Sequence, residues 1–445
     1  MKVLTFSKGI HPPQAKETAQ DETIILLPNR GDILVYPMHQ HIGAPCQPLV
    51  KIGDTVQVGQ KIGDSEAYVS APVHSSVSGR VVDIRPMLLP TGSTSTSVFV
   101  ENDAYMYEAP TINRPVNYRK ASREELLSVI REAGIVGLGG AGFPTHVKLN
   151  PPPGKKVDTI IVNVAECEPY LTTDHRVLLE ETEKIVKGLM VVLSLFPEAK
   201  GYIGVETNKE NGIQAIEQVL NSDERYSKAI TIARLEPKYP QGAEKQLIYS
   251  ITKREVPSGG LPADVGCIVN NVDTVIAIHR AIYRGRPLMR KIMTVSGHGT
   301  KNPGNYKVRL GMLYSDMMKA IGGFKDGDFT PRKLIAGGPM MGNAMFSLDV
   351  PMTKVSQAFL AFTEEEAKLP IERNCIRCGR CIEVCPAHLI PMDLNKYILF
   401  DAVDKFKATG GMDCIECGCC SYVCPANRWL AQSIRAQRRV ILSAR

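Results

Sequence analysis

Two copies of one cysteine pattern constrain this chain more than any other feature. "CIRCGRCIEVCP" places Cys375, Cys378, Cys381 and Cys385 before Pro386, and "CIECGCCSYVCP" repeats the spacing with Cys414, Cys417, Cys420 and Cys424 before Pro425. Both read C-x2-C-x2-C-x3-C-P. Three thiolates at that interval wrap a loop around one face of an iron–sulfur cubane, while the fourth reaches across to the other cubane. The spacing therefore assigns Cys375, Cys378, Cys381 and Cys424 to one [4Fe–4S] cluster, and Cys414, Cys417, Cys420 and Cys385 to a second. Zinc knuckles use two C-x-x-C pairs per metal and have no use for a third cysteine at the same interval followed by proline. Cys419 breaks the interval and is expected to be a packed non-ligand. Of the 12 cysteines, only Cys46, Cys167 and Cys267 lie outside this region. Such clustering, without an exporting signal, points to metal rather than to a disulfide framework.

Two clusters make a wire for single electrons, so a donor or acceptor site is expected elsewhere. With 445 residues the chain has room for three or four domains. A net charge of +7 is too diffuse to argue for nucleic acid, and one Trp with 6% aromatics argues against a base-stacking surface. No apolar run approaches the roughly 20 residues that span a bilayer, and "MKVLTFSKGIHPPQ" lacks the pattern of a secretory leader. The reading is a soluble or peripheral protein that meets a membrane only through a partner.

The expected fold class is multidomain α/β with four parts. Residues 1–110 carry short strands punctuated by Gly-Asp and Ser-Gly, in two halves like a biotinyl/lipoyl barrel sandwich. The turn between the halves, "SEAYVS", has no Lys for a swinging cofactor, so a docking module is the better reading. Residues 111–290 alternate helix and strand, implying a mainly parallel sheet. Ser122 and Glu125 form a capping box for the first helix, and one long helix is expected from Asp174 to Leu195. Residues 291–350 suit a β-grasp unit, and 351–445 a helical two-cluster ferredoxin domain ending in a basic amphipathic helix.

"GLGGAGFPTHVK" contains a literal G-x-G-x-x-G at Gly137, Gly139 and Gly142. A dinucleotide turn needs a strand before it and a helix opening at its third glycine. Here a helix precedes the loop, and Pro144 pushes its neighbour Phe143 toward extended geometry. The loop still suits a backbone cradle for phosphate, with Lys148 adding charge. A tight turn with a surface Lys fits these residues equally well. Nearby polar groups gather at expected strand or helix ends: Asn163, Glu166 and Glu168 in "IIVNVAECEPYLTTDHR", Glu244 in "GAEKQ", and Asn270 and Asn271 in "IVNNVDT".

Together these motifs resemble the flavin-binding subunit of respiratory complex I and related NADH-oxidising flavoproteins, over roughly residues 120 to 345. The resemblance implies that Gly137, Gly139, Gly140, Lys148, Asn163, Glu166, Asn270 and Asn271 surround a non-covalent FMN. It also implies that Phe143, Glu168 and Glu244 line the NADH side of the ring. The chain departs from that family at Leu138, Ala165 and Ala243, where the family has Arg, Asp and Glu. With "KGIHPPQAK", "QHIGAPCQPLVKIGDTVQVGQ" and "AYVSAPVHSSVSG", nearly the whole chain is similar to the RnfC component of the Rnf complexes, ion-translocating NAD:ferredoxin oxidoreductases. That resemblance implies FMN, NAD(H) as substrate, two [4Fe–4S] clusters, membrane-complex partners, and a place at the cytoplasmic face of the membrane. The alternatives are a soluble cobalamin reductase on the same core, against which the region before residue 110 argues, and a relay protein that has lost nucleotide binding.

Overall fold

The protein is described by a computed structural model covering residues 3–26, 33–325 and 331–444. Its centre is the α/β unit. Helix α1 (Arg123–Glu132) opens with Ser122 Oγ accepting the Glu125 N–H at 3.1 Å, the expected cap. Strands β1 (Thr159–Val164), β2 (Lys200–Glu206) and β3 (Ile230–Leu235) are followed by helix α2 (Glu244–Thr252), strand β4 (Cys267–Asn271) and helix α3 (Val272–Arg284). The sheet order is β3-β2-β1-β4 and every pairing is parallel, with Tyr202 and Val269 flanking Ile161. Such a sheet is covered on both faces. Ile160, Val162 and Val164 face one core with Ile203, Ile268 and Val275. Ile161 faces another, with Leu247, Ile248 and Val269. The two-residue period thus sorts one apolar run onto two sides.

The helix expected from Asp174 to Leu195 is two helices, Thr173–Glu180 and Thr182–Ser194. Glu181 breaks it at φ −127°, and its carboxylate is engaged by Arg280 at 3.3 Å and by Lys184. Beyond the break, Gly188 packs so closely on α3 that a Cβ there would stand 2.4 Å from the Val275 carbonyl oxygen.

Strands β5 (Arg290–Ser296) and β6 (Gly304–Arg309) begin a six-stranded mixed sheet, packed by the helix Tyr314–Ala320. This sheet recruits strands from outside 291–350. Ala358–Phe362 runs parallel beside β5, and Ile24–Leu26 parallel beside β6. "AFLAF" has no polar alternation and every residue is buried, which requires an interior position. The N-terminal residues run over the α/β unit rather than the barrel sandwich, with Leu4 bridging Leu235 and Ile10 bridging Tyr239.

The barrel sandwich is two small antiparallel sheets closed on Tyr36, Met38, Ile62 and Val98. The turn that lacks a carrier Lys docks on the α/β unit. Arg131 donates to the Ser65 carbonyl at 2.9 Å, and His146 Nε2 lies 3.1 Å from the Tyr68 carbonyl oxygen. The C-terminal part is built of short helices, closed by helix α4 (Leu430–Ser443). Two arginines of this basic helix are engaged, Arg435 and Arg438 both binding Glu416, while Arg439 and Val440 are exposed. No helix among the described residues is long and apolar enough to cross a membrane.

Candidate functional site

The polar residues singled out in the sequence converge at the C-terminal edge of the parallel sheet, where open α/β sheets bind ligands. Asn163 lies near the end of β1 and donates to the Gly242 carbonyl at 2.8 Å. Asn271 ends β4, caps α3 by accepting the Asp273 N–H, and donates to Asp174 at 3.0 Å. Lys148 reaches the same edge, donating to the Val269 carbonyl at 2.9 Å and to Glu244 at 3.2 Å. The glycine loop closes over it through a bridge between Val136 and Pro144. A Cβ on Gly139 would stand 2.7 Å from Asn271 Cβ, so only glycine permits that approach, whereas one on Gly140 would meet open space. Phe143 is half-buried, its carbonyl accepting the Gly137 N–H at 2.9 Å.

Two features make this edge a fitting seat for FMN. Asn270 is 3% exposed, yet its Nδ2 has no hydrogen-bond partner, and Glu166 Oε2 is equally orphaned apart from Lys16 at 3.6 Å. Buried polar atoms are rarely left so, because each costs about 1–3 kcal/mol until a partner arrives. The exposed backbone at Gly139 and Gly140 supplies the adjoining cradle. The three departures from the complex I pattern take these places in the fold. Leu138 is 1% exposed within the main core, Ala165 is buried beneath Gly242, and Ala243 is a helix N-cap with no side-chain bond.

Glu168, expected on the NADH side, is held by the β-grasp unit. Its carboxylate accepts the N–H groups of Met340 at 3.1 Å and Met341 at 3.0 Å, and burial raises its pKa to about 7. Asp174 is likewise raised to about 7, by burial first and then by the charge of Glu166, whose Oε1 accepts the Asp174 N–H at 2.7 Å. Asp174 and Lys16 escaped the sequence reading. Lys16 donates to the Glu166 carbonyl at 2.6 Å, but it arrives on the N-terminal segment, so no local pattern marks it.

The eight motif cysteines fall into two sets. Cys375, Cys378, Cys381 and Cys424 line one hollow, and Cys385, Cys414, Cys417 and Cys420 line another. These are the crossed sets the spacing implies. Among the described residues no three His, Cys, Asp or Glu side chains converge as a single-ion site; thiols standing around a hollow suit a multi-iron core. The two loops repeat each other in backbone as well. Arg377 and Glu416, Gly379 and Gly418, and His388 and Asn427 all have positive φ at matching positions. The N–H groups of Leu389 and Arg428 point at Cys385 and Cys424, each at 3.4 Å. Such N–H···S bonds tune a cluster's potential.

Among the described residues, the second set is the one that packs against the α/β unit. Tyr239, 1% exposed, donates to the Cys417 carbonyl at 2.8 Å, and Ile10, Cys167, Met340, Cys417 and Cys419 pack with it. Cys419 is fully buried there and borders the same hollow as the second set. Cys375 and Cys378 of the first set are exposed.

Comparison with known proteins matches each part. Residues 4–105 match the RnfC barrel sandwich hybrid domain, 130–280 the Nuo51 FMN-binding domain, 292–344 the SLBB domain, and 374–428 the 4Fe-4S dicluster domain. The protein accordingly carries an FMN-binding domain and a domain for two [4Fe–4S] clusters. The fold is shared with an NAD+-reducing [NiFe]-hydrogenase chain at TM-score 0.50 and 17% identity, the match covering 73% of this chain and 62% of that one. The C component of the Na(+)-translocating ferredoxin:NAD(+) oxidoreductase complex of Acetobacterium woodii is 44% identical, over 99% of this chain and 98% of its own. The same component of the proton-translocating complex of Clostridium ljungdahlii is 44% identical over 88% of this chain and 84% of its own. At that identity and coverage, the chain belongs to the RnfC family, the C components of Rnf-type ion-translocating oxidoreductase complexes.

Proposed function

We propose that this chain is the peripheral NADH-handling subunit of a membrane-bound, ion-translocating NAD:ferredoxin oxidoreductase. It would sit at the cytoplasmic face, with ion translocation belonging to the assembled complex and ferredoxin reached only through partner subunits. The names of the relatives support the reaction class. The observation that carries the reading is the packing of the second cysteine set against the sheet edge through Tyr239. When bound, FMN exchanges a hydride with NAD(H) and releases electrons singly, which is what a [4Fe–4S] cluster can carry.

The chain's own residues supply position and charge. Gly137, Gly139 and Gly140 present backbone to the flavin, Lys148 a cation, and Asn163, Glu166, Asn270 and Asn271 a polar rim. Phe143, Glu168 and Glu244 would border the nicotinamide. Glu168 is then both a site residue and the anchor of the loop around Met340. The inner relay is Cys385, Cys414, Cys417 and Cys420. The outer is Cys375, Cys378, Cys381 and Cys424, of which Cys375 and Cys378 are exposed, where a partner subunit would meet it. The barrel sandwich docked beside the glycine loop disfavours a soluble cobalamin reductase, whose relatives begin near that loop.

An anaerobic NADH titration of the purified chain, with flavin and iron quantified, tests the proposal. The expected result is one FMN per chain, bleached by NADH, followed by cluster reduction. Flavin that stays oxidised under NADH would instead support a relay protein without nucleotide binding.

A further inference from the structure

A second cleft lies at the junction of the barrel sandwich, the α/β unit and the β-grasp sheet, beside Asp273, Ala277 and Arg280 of α3 and the strands β5 and β6. Its volume is about 590 Å³, within the range of about 300–1,000 Å³ usual for small-molecule sites. Six cationic side chains line it against three carboxylates. The carboxylates are already engaged: Asp273 by Lys291 at 2.8 Å, Glu108 by Arg286 at 2.6 Å, and Glu181 by Arg280 and Lys184. Among the described residues the side chain of the half-buried Arg290 has no hydrogen-bond or ion-pair partner. Arg309 is 9% exposed; one end of its guanidinium donates to the Ser76 carbonyl at 2.9 Å, but its Nε is buried and unpartnered. Lys307 stands 3.9 Å from Glu181. Val58, Leu288 and Met289 provide an apolar wall.

Unpaired guanidinium groups crowded in a partly desolvated cleft are costly unless an anion joins them. Burial, and then Arg309, Arg280 and Arg286, hold the Arg290 pKa down to about 10. Burial and Arg280 also lower Lys307. We propose that this cleft binds the phosphate groups of an anionic small molecule with an apolar or aromatic body, using Arg290 and Arg309 as direct ligands and Lys307 as supporting charge. Planar guanidinium groups recognise phosphate oxygens in pairs, and the wall at Leu288 would accept the body. The cleft is distinct from the flavin edge, and the inference does not depend on the proposed reaction.

The test is calorimetric titration of the full, cofactor-loaded chain without added NAD+, whose own diphosphate and adenine would compete for the cleft; binding at the nicotinamide position is told apart by its survival in Arg290→Gln. The probes are pyrophosphate, ADP, and phosphatidylcholine vesicles with or without phosphatidylglycerol. Pyrophosphate and ADP are expected to bind, ADP more tightly. Arg290→Gln should weaken both at least about tenfold, and added salt should weaken them in the wild type. Arg290→Gln removes like-charge crowding and should keep the thermal midpoint, flavin and iron content; Lys307→Gln, with a smaller effect, is the second variant. Binding only to phosphatidylglycerol vesicles, and its loss in Arg290→Gln, would assign the phosphate to a lipid headgroup and still support the site. Absence of binding to all three probes, or binding indifferent to Arg290→Gln, would overturn it.

Discussion

The two cysteine motifs are the same object locally and different objects globally. Their spacing is identical, and their αL positions match residue for residue. Yet the hollow of the second set is pressed against the α/β unit, while two cysteines of the first set face outward beside Ile376, which is 67% exposed, and Ile371, which is 78% exposed. The motif therefore specifies which thiols share a hollow. What surrounds that hollow decides what it faces, the α/β unit for the second set and the surface for the first. Cys419 illustrates the division: the corresponding residue of the first motif is Arg380, exposed beside its cluster loop, whereas Cys419 fills the joint with Tyr239.

The severest way to break this comparison is to remove one crossing thiol from each motif. Cys385→Ala, although in the first motif, should cost the inner cluster and about half of the iron, leaving flavin reducible by NADH with little passing beyond it. Cys424→Ala should cost the outer cluster and leave the inner one reducible. Electron paramagnetic resonance of NADH-reduced samples distinguishes them, and each substitution destroying the cluster of its own motif would overturn the crossed assignment. Upstream of both, Lys148→Ala should weaken flavin retention about tenfold, the scale of a charged hydrogen bond. Iron content should not change; equal loss of flavin and iron would mean misfolding rather than a lost phosphate contact.

What could be read from the sequence follows the same line between local and distant. The grouping of the motif cysteines around two hollows, the Ser122 cap and the convergence of Asn163, Glu166 and Asn271 were legible, because each depends on spacing or on strand ends. The β-grasp sheet was legible only in part. Its strand Ala358–Phe362 lies past the expected boundary at 350, and its edge strand Ile24–Leu26 comes from the far end of the chain. Lys16 and Tyr239 were invisible for a related reason, since their roles exist only after segments distant in sequence have packed. The break at Glu181 was missed because the apolar period continues across it, and only tertiary bonds to Arg280 and Lys184 oppose the continuous helix.

Glu168 offers a pH-dependent probe of the inner side. Burial raises its folded pKa to about 7, against about 4.3 for a free glutamate. Between those values the folded protein holds a proton that the unfolded chain has released, so stability falls as pH rises from about 4.3 through about 7. Glu168→Gln should remove that slope, worth about 3–4 kcal/mol across the window. Urea midpoints measured from about pH 4 to about pH 8, which brackets the window, check it, and parallel slopes for wild type and variant would contradict the assignment.

The finest test is Tyr239→Phe, because it changes one hydroxyl at the joint and nothing at the outer cluster. The hydroxyl donates to the Cys417 carbonyl, buried with it. Removal leaves that oxygen unpaired at a cost of about 1–3 kcal/mol, so a modest fall in thermal midpoint is expected with flavin and iron retained. It also removes a donor that favours the more negative, reduced state of the neighbouring cluster, which should lower that cluster's potential by roughly tens of millivolts. The outer cluster, with no such contact, should keep its own. Redox titration resolves the two. A shift of equal size in both would mean that Tyr239 acts through the folding of the whole ferredoxin part, and that the contrast between inner and outer motifs is not made at this joint.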